Sequence, residues 1–261
     1  MMRILMYGII FAAWAYSLYF DVKHVPIFTG QNWFYKLKFL TIINLVLQTV
    51  YFGLCFVRAI VDEFAKRKGY GPHTAHPEQP TYYAYTKFHG ICDSIYACLA
   101  MPVACVVTLL FWSLYAVDRE LVFPRELDKF IPNWLNHMTH TAPVFFLLVD
   151  TLLVCHRLPP KSAGIKSCCF FSLLYSISIV IWYQVEGVWV YPVLEVLDNA
   201  QRALFIVGSA VVLIVLYLIG DTLNGLVWGP ACRVSRQAPV PAGRYYSSLN
   251  REERKQKARK D

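Results

Sequence analysis

Residues 204–228 read LFIVGSAVVLIVLYLIGDTLNGLVW, and Asp221 is the only charged residue among them. An α-helix needs about 20 apolar residues to cross the ~30 Å hydrocarbon core of a bilayer, so this stretch predicts a transmembrane helix. The whole chain is 57% hydrophobic and 16% charged, whereas soluble domains average about 45–50% and about 25%. This composition excludes a disordered chain, a coiled coil and a disulfide-rich secreted domain. It predicts an all-α, polytopic membrane helix bundle.

Five further apolar blocks precede this one. The six predicted spans are residues 4–20, 37–57, 94–116, 140–156, 167–184 and 204–228. The first block has no clear small-residue cleavage site after it, so we interpret it as a retained span rather than a signal peptide. We therefore predict a single transmembrane helical domain over residues 1–228, followed by a basic, disordered tail over residues 229–261.

The charges between the spans predict an orientation. With six spans, 18 of the 25 Lys and Arg residues lie on the N-terminal side of the membrane and seven on the opposite side. Because Lys and Arg are enriched in cytosolic loops, both termini are predicted to be cytosolic. The tail carries nine of these residues, and we expect it to attract anionic lipids but not nucleic acid. We expect an integral multi-pass protein of the plasma membrane or the endoplasmic reticulum.

Two histidines, His137 and His140, stand three residues apart where the fourth predicted span begins. On a helix this spacing puts both side chains on one face. Ionisable groups within membrane spans are costly, so each histidine is a functional candidate. Three interpretations are open: a polar cluster that hydrogen-bonds neighbouring helices, a pair of metal or haem ligands, and a catalytic base.

A hydroxyl group lies at a similar predicted depth. Thr41 is about four residues inside the second span, or about 6 Å below its start. The second and fourth spans both begin on the non-cytosolic side in the predicted orientation. A threonine in a membrane helix usually bonds a carbonyl of its own preceding turn or a neighbouring helix. At the depth of His140, it is also placed to form a pair of nucleophile and base.

Aromatic residues follow the fifth span on the same side of the membrane. Trp189 and Tyr191 belong to the segment Gly187-Val-Trp-Val-Tyr-Pro192. Aromatic rings at this depth commonly form the interfacial belt of a membrane protein. A second interpretation is that these two rings roof a site through which a lipid substrate enters.

Several short segments, weak alone, together resemble a known family. They are, in chain order, Lys38–Thr41, Asn44–Gln48, Ala100–Val103, Asp118–Glu120, Phe130–His137, His140–Thr141, Gly187–Pro192 and Tyr217–Gly220. In this combination the chain resembles the androgen-induced and androgen-dependent family of multi-pass membrane hydrolases, which cleave fatty acid esters of hydroxy fatty acids. The resemblance extends over residues 36–229, most of the chain.

The resemblance implies a carboxylic ester hydrolase with a threonine nucleophile and an essential histidine. Matched by motif, these residues are Thr41 and His140, with His137 in a supporting role. The implied partner is a lipid substrate within the bilayer, and neither a metal nor another cofactor is needed. We expect the helical backbone around Thr41 to be fully hydrogen-bonded. A side chain, from Asn44 or Asn136, would then have to stabilise the oxyanion.

Two other classes of protein remain open. A six-helix bundle could bind haem through intramembrane histidines, since bundles place ligands on facing helices. A membrane scaffold or signalling protein would need no chemistry at Thr41. The chain contains no G-x-S-x-G, H-E-x-x-H, P-loop or G-x-G-x-x-G pattern, which argues against the common soluble hydrolases and nucleotide enzymes.

Overall fold

A computed structural model describes residues 1–26, 32–67 and 86–229. Its α-helices are α1 (Met2–His24), α2 (Leu40–Arg67), α3 (Lys87–Ile95), α4 (Met101–Val117), α5 (Asn133–His140), α6 (Ala142–Leu153), α7 (Lys161–Glu186), α8 (Pro192–Val196) and α9 (Asn199–Trp228). Short 3₁₀ turns span Trp33–Lys38, Arg119–Leu121 and Arg125–Lys129, and a π-helical turn, Tyr96–Ala100, joins α3 to α4. These residues contain no β-strand, so the all-α prediction is confirmed. The tail from residue 230 onward lies outside the described residues.

Five helical runs are long and apolar enough to cross a membrane. They are Met2–His24, Leu40–Phe64, Lys87–Val117, Lys161–Glu186 and Asn199–Trp228. Many large apolar side chains on α7 and α9 point away from the rest of the chain. A large exposed apolar surface of this kind suits contact with lipid rather than water. The chain is therefore a polytopic helical membrane protein.

The fourth predicted span differs from this pattern. Residues 140–156 do not form one helix, because α5 ends at His140 and α6 has only 12 residues. Pro143 explains the break, since proline has no backbone N–H and its ring clashes with the carbonyl four residues earlier. At 1.5 Å per residue α6 is about 18 Å long, which is too short to cross a bilayer alone.

Together, α5 and α6 still run from one end of the bundle to the other. His140, at the end of α5, contacts Thr41, whereas His156, just after α6, contacts Asp93. Asp93 pairs with Arg58, which follows Thr41 on α2 by 17 residues, or about 25 Å. The described helices thus pass through the bundle six times. We call the end with Thr41 the site end and the opposite end the network end.

The network end contains a network of buried polar residues. Asp150 accepts hydrogen bonds from the hydroxyl groups of Tyr7 and Tyr51. His156 lies 3.1 Å from the Asp93 carboxylate and 3.2 Å from the Asp150 carboxylate. Buried charges are costly unless they are paired, so this network fixes the relative positions of α1, α2, α3 and α6.

The chain changes direction immediately before α2. After the 3₁₀ turn Trp33–Lys38, Phe39 adopts an extended conformation with φ −84° and ψ 125°. The helix therefore begins three residues later than the predicted span, and Thr41 lies in its first turn. Lys36 holds the 3₁₀ turn in place, because its buried ammonium group lies 2.9 Å from the carboxylate of Asp21 on α1.

Candidate active site

The first turn of α2 presents Thr41. Because Phe39 is extended, the N–H groups of Leu40 and Thr41 have no carbonyl of a preceding helical turn to bind. The Leu40 N–H instead donates to the hydroxyl groups of Tyr175 (3.0 Å) and Tyr191 (2.8 Å). Among the described residues, no side chain accepts from the N–H of Thr41. The expectation of a fully hydrogen-bonded backbone at Thr41 is therefore wrong, because the helix begins later than predicted.

His140 is the last residue of α5, and only 6% of its surface is exposed. Its ring stacks on Phe111 of α4, with 3.5 Å between the ring centroids and 11° between the planes. Its Nδ1 lies 3.0 Å from the backbone oxygen of Asn136, 2.8 Å from Asn136 Oδ1 and 3.1 Å from Thr139 Oγ1. A backbone carbonyl oxygen can only accept, so Nδ1 carries the ring proton and Nε2 presents a lone pair.

The lone pair of His140 faces Thr41. The distance between His140 Nε2 and Thr41 Oγ1 is 3.2 Å, across 99 residues of sequence. With Nδ1 protonated, the threonine hydroxyl donates and the imidazole accepts. None of the hydrogen-bond partners described for this ring is a carboxylate, and burial disfavours the charged imidazolium. The imidazole is therefore held neutral, in the form that can accept a proton.

His137 occupies a more exposed position. Its Nδ1 lies 3.2 Å from Thr141 Oγ1, and its ring stacks on Trp112 with 5.5 Å between centroids. The indole N–H of Trp112 donates to the backbone oxygen of His140. None of the contacts described for His137 is with Thr41. His137 therefore contacts the residues that hold the end of α5, as a supporting residue would.

The two asparagines predicted as oxyanion donors have different surroundings. Asn136 offers two oxygens to Nδ1 of His140, so it orients the imidazole. Asn44 is fully buried, and its Oδ1 accepts a hydrogen bond of 3.0 Å from Gln48. Its Nδ2 has no acceptor among the described residues. Asn44 lies one turn along α2 from Thr41, on the same face of the helix.

A cavity of about 120 Å³ opens beside Thr41. It lies between α2, α4, α7 and α9. Its lining is mostly apolar and includes Val107, Phe111, Phe171, Phe205, Ala210 and Leu213. Polar atoms enter it from Thr41, from three serines and from the tyrosine pair Tyr175 and Tyr191. Thr41 thus forms part of the wall of a mostly apolar cavity.

The two predicted access residues are placed differently. Tyr191 lines the cavity, and its hydroxyl lies 2.8 Å from that of Tyr175. Trp189 is not part of the cavity wall. Its ring stacks on Tyr183 of α7 with 4.2 Å between centroids, and the guanidinium of Arg202 lies 5.0 Å from the same ring. Trp189 therefore packs between the ends of α7 and α9.

The surroundings of the buried histidines do not fit a pair of haem ligands. Both ring nitrogens of His140 are taken by protein oxygens, and Nε2 of His89 lies 2.9 Å from Asp62. His156 lies between two aspartates. These contacts disfavour the haem-binding interpretation.

The fold and the site define a class: a polytopic helical membrane protein with a threonine and histidine pair beside an apolar cavity. The chain belongs to the FAR-17a/AIG1-like protein family, which it matches over residues 2–225. It is 35% identical over 199 residues to the androgen-induced gene 1 protein of Homo sapiens, covering 76% of this chain and 79% of that protein.

A second similar protein is the androgen-dependent TFPI-regulating protein of Rattus norvegicus. The two are 35% identical over 192 residues, which covers 74% of this chain and 77% of the relative. No solved structure matches the chain. These similarities confirm the family resemblance that the short segments indicated.

Proposed function

We propose that this protein is a membrane-embedded hydrolase that cleaves the ester bond of fatty acid esters of hydroxy fatty acids. Thr41 is the nucleophile and His140 the general base. The observation that carries the proposal is the 3.2 Å contact between Thr41 Oγ1 and a buried imidazole nitrogen whose lone pair faces the hydroxyl. Incubating purified protein with a synthetic substrate tests it, with both products measured by mass spectrometry. The absence of hydrolysis by correctly folded protein would refute the proposal.

The proposed reaction has two steps. In the first, His140 Nε2 accepts the proton of Thr41 as Oγ1 attacks the ester carbonyl carbon. The C–O bond to the hydroxy fatty acid then breaks, and the imidazolium returns the proton to the departing oxygen. In the second step, water loses a proton to the same imidazole and attacks the acyl-threonine. This releases the second fatty acid and restores the threonine hydroxyl.

The first turn of α2 suggests how the oxyanion is stabilised. The backbone N–H of Thr41 belongs to the positive end of the helix dipole and has no helical carbonyl to bind. A donor on the nucleophilic residue itself is close to the oxygen that becomes charged, and it needs no reorganisation. The unpartnered Nδ2 of Asn44, one turn further along, is a second donor in this proposal.

An Asn136→Ala substitution tests how the imidazole is oriented. The variant loses Asn136 Oδ1 but keeps the backbone oxygen and the Thr139 hydroxyl near Nδ1. Because a well-oriented general base contributes about 10²–10⁴-fold, we expect a partial loss of about 10-fold in kcat with little change in KM. Asn133→Ala, at an exposed position of the same helix, is the matched control. Equal rates for the two variants would contradict the orienting role of Asn136.

We propose that the cavity holds the acyl chain that is transferred to Thr41. Ala210 of α9 lines it, so Ala210→Phe would fill part of the space. We expect kcat/KM to fall by about 10-fold for long-chain substrates, since each methylene in an apolar pocket contributes about 1–3 kcal/mol, and to fall less for short-chain ones. Val207→Phe is the control, because Val207 is 60% exposed on the same helix. An unchanged chain-length profile in the Ala210→Phe protein would place the acyl chain elsewhere.

A second interpretation comes from the name of a relative. The rat protein is named for regulating TFPI, which suits a membrane scaffold or signalling protein without chemistry at Thr41. Such a protein would keep its full cellular function after Thr41→Ala. The buried and oriented threonine and histidine pair favours hydrolysis instead.

We propose that the protein resides in the plasma membrane or the endoplasmic reticulum with both termini in the cytosol. The distribution of Lys and Arg supports this orientation. The site end then lies at the non-cytosolic leaflet, and the substrate reaches it from within the bilayer. The basic tail remains a predicted partner of anionic lipids, and it lies outside the described residues.

A further inference from the structure

A lysine at the site end lies in a cage of aromatic rings. The ammonium nitrogen of Lys38 is 4.4 Å from the ring centroid of Trp182, 4.9 Å from that of Tyr35 and 5.2 Å from that of Phe39. Cation–π contacts act on the charge through the ring faces and take up none of the three N–H donors of an ammonium group. The cage therefore holds the ammonium group in place and leaves its donors available to an anion.

In the described part of the chain, no anion is paired with the caged ammonium group. Among the described residues, no carboxylate oxygen lies within 4.0 Å of the Lys38 ammonium, whereas neighbouring Lys36 is paired with Asp21 at 2.9 Å. Glu186 is near, but its carboxylate accepts a hydrogen bond from the hydroxyl of Tyr35. Partial burial lowers the pKa of Lys38, and the charge of Glu186 opposes this shift. An anion that replaced the lost hydration would therefore be bound favourably.

The cage adjoins the cavity. Lys38 precedes Thr41 by three residues, so their Cα atoms are at most about 11 Å apart. The backbone oxygen of Lys38 accepts a 3.0 Å hydrogen bond from the hydroxyl of Tyr175, and Tyr175 lines the cavity. A bound molecule whose apolar chain lies in the cavity would place an anionic group beyond Thr41 next to the Lys38 ammonium.

We propose that Lys38 binds the free carboxylate of the substrate and thereby positions the ester bond at Thr41. This inference rests on the proposed hydrolytic function. A fatty acid ester of a hydroxy fatty acid has one ionised carboxylate and one ester. With the carboxylate at Lys38, the ester lies at Thr41 and the acyl chain extends into the cavity. Neutral esters without an acidic group lack this anchor and are poorer substrates.

The test compares two substrates that differ only at the acid group. One is the free acid, and the other is the corresponding primary amide, which is neutral and of similar size. Release of the fatty acid from the internal ester is measured for wild type, Lys38→Gln and Lys38→Arg. Lys129→Gln, in the exposed 3₁₀ turn Arg125–Lys129, is the control for loss of a positive charge.

We expect wild type to prefer the free acid by about 10-fold or more in kcat/KM, since a hydrogen bond to a charged group contributes about 1.5–3 kcal/mol. The preference should disappear in Lys38→Gln, return in part in Lys38→Arg and persist in Lys129→Gln. The loss should appear mainly in KM, because Lys38 binds the substrate away from the reacting atoms.

Two results would overturn the assignment while leaving the hydrolytic function in place. The first is wild-type cleavage of the acid and the amide at equal rates, which needs no variant to fold. The second is an equal loss for both substrates in Lys38→Gln, because loss of a carboxylate anchor would affect only the free acid. Cleavage of neither substrate by folded wild type would refute the proposed function itself.

Discussion

The Thr41→Ala protein is expected to lose hydrolytic activity by at least about 10³-fold, with its expression and thermal stability close to those of wild type. The substitution removes the hydroxyl that faces Nε2 of His140 at 3.2 Å. Among the described residues, no other hydroxyl is within hydrogen-bond distance of that atom. Thr41 is only partly buried, and it lines a cavity rather than a packed core. Steady-state release of both products, with thermal unfolding on the same samples, measures the effect.

Three further variants make this result specific. Thr41→Ser keeps the hydroxyl and the backbone N–H, so it should retain measurable activity, reduced because serine is less restricted in χ1 than threonine. His140→Ala should be as inactive as Thr41→Ala. The double variant should be no worse than either single one, since residues that act as a unit are not additive. Near wild-type hydrolysis by Thr41→Ala or His140→Ala would show that the pair is not catalytic.

The largest effect on stability is expected for Asp150→Ala at the network end. This substitution leaves the hydroxyls of Tyr7 and Tyr51 without their acceptor and removes one of the two carboxylates beside His156. Breaking a buried charged pair costs about 3–5 kcal/mol, which corresponds to an unfolding midpoint lower by about 10 °C in a chain of this size. The yield of monodisperse protein in detergent should fall as well.

Asp128→Ala is the matched control for this prediction. Asp128 also accepts from a cation, Arg119 at 2.8 Å, but both side chains are solvent-accessible. Exposed ion pairs contribute little to stability, so the midpoint should not move. An Asp150→Ala protein that unfolds at the wild-type temperature would show that the buried network does not hold the helices together.

The long helices can be predicted from the sequence. The breaks between the helices are harder to predict. Residues 204–228 are long and apolar enough to predict a membrane-crossing helix. In the structure they are part of α9. The extended residue Phe39 follows Lys38 at the start of an apolar run and gives no signal of its own. Pro143 is a sequence signal for the break before α6, but counting apolar residues does not detect it.

The matched depth of Thr41 and His140 could be predicted because it depends on positions along two helices. Their direct contact depends also on how the helices rotate and pack, which a single sequence does not specify. Phe111 and Tyr175, which contact the site from α4 and α7, resemble ordinary apolar and aromatic residues of a span. The free backbone N–H at Thr41 has no signal in the sequence, because such a group exists only where a helix begins.

Labelling of the protein with a fluorophosphonate probe tests the central claim most directly. Such probes react with activated hydroxyl nucleophiles, and the labelled residue is identified by mass spectrometry of the digested protein. A single adduct on Thr41 is expected in wild type, and none is expected in a folded His140→Ala protein. Labelling of another residue, or labelling of Thr41 that does not depend on His140, would contradict it.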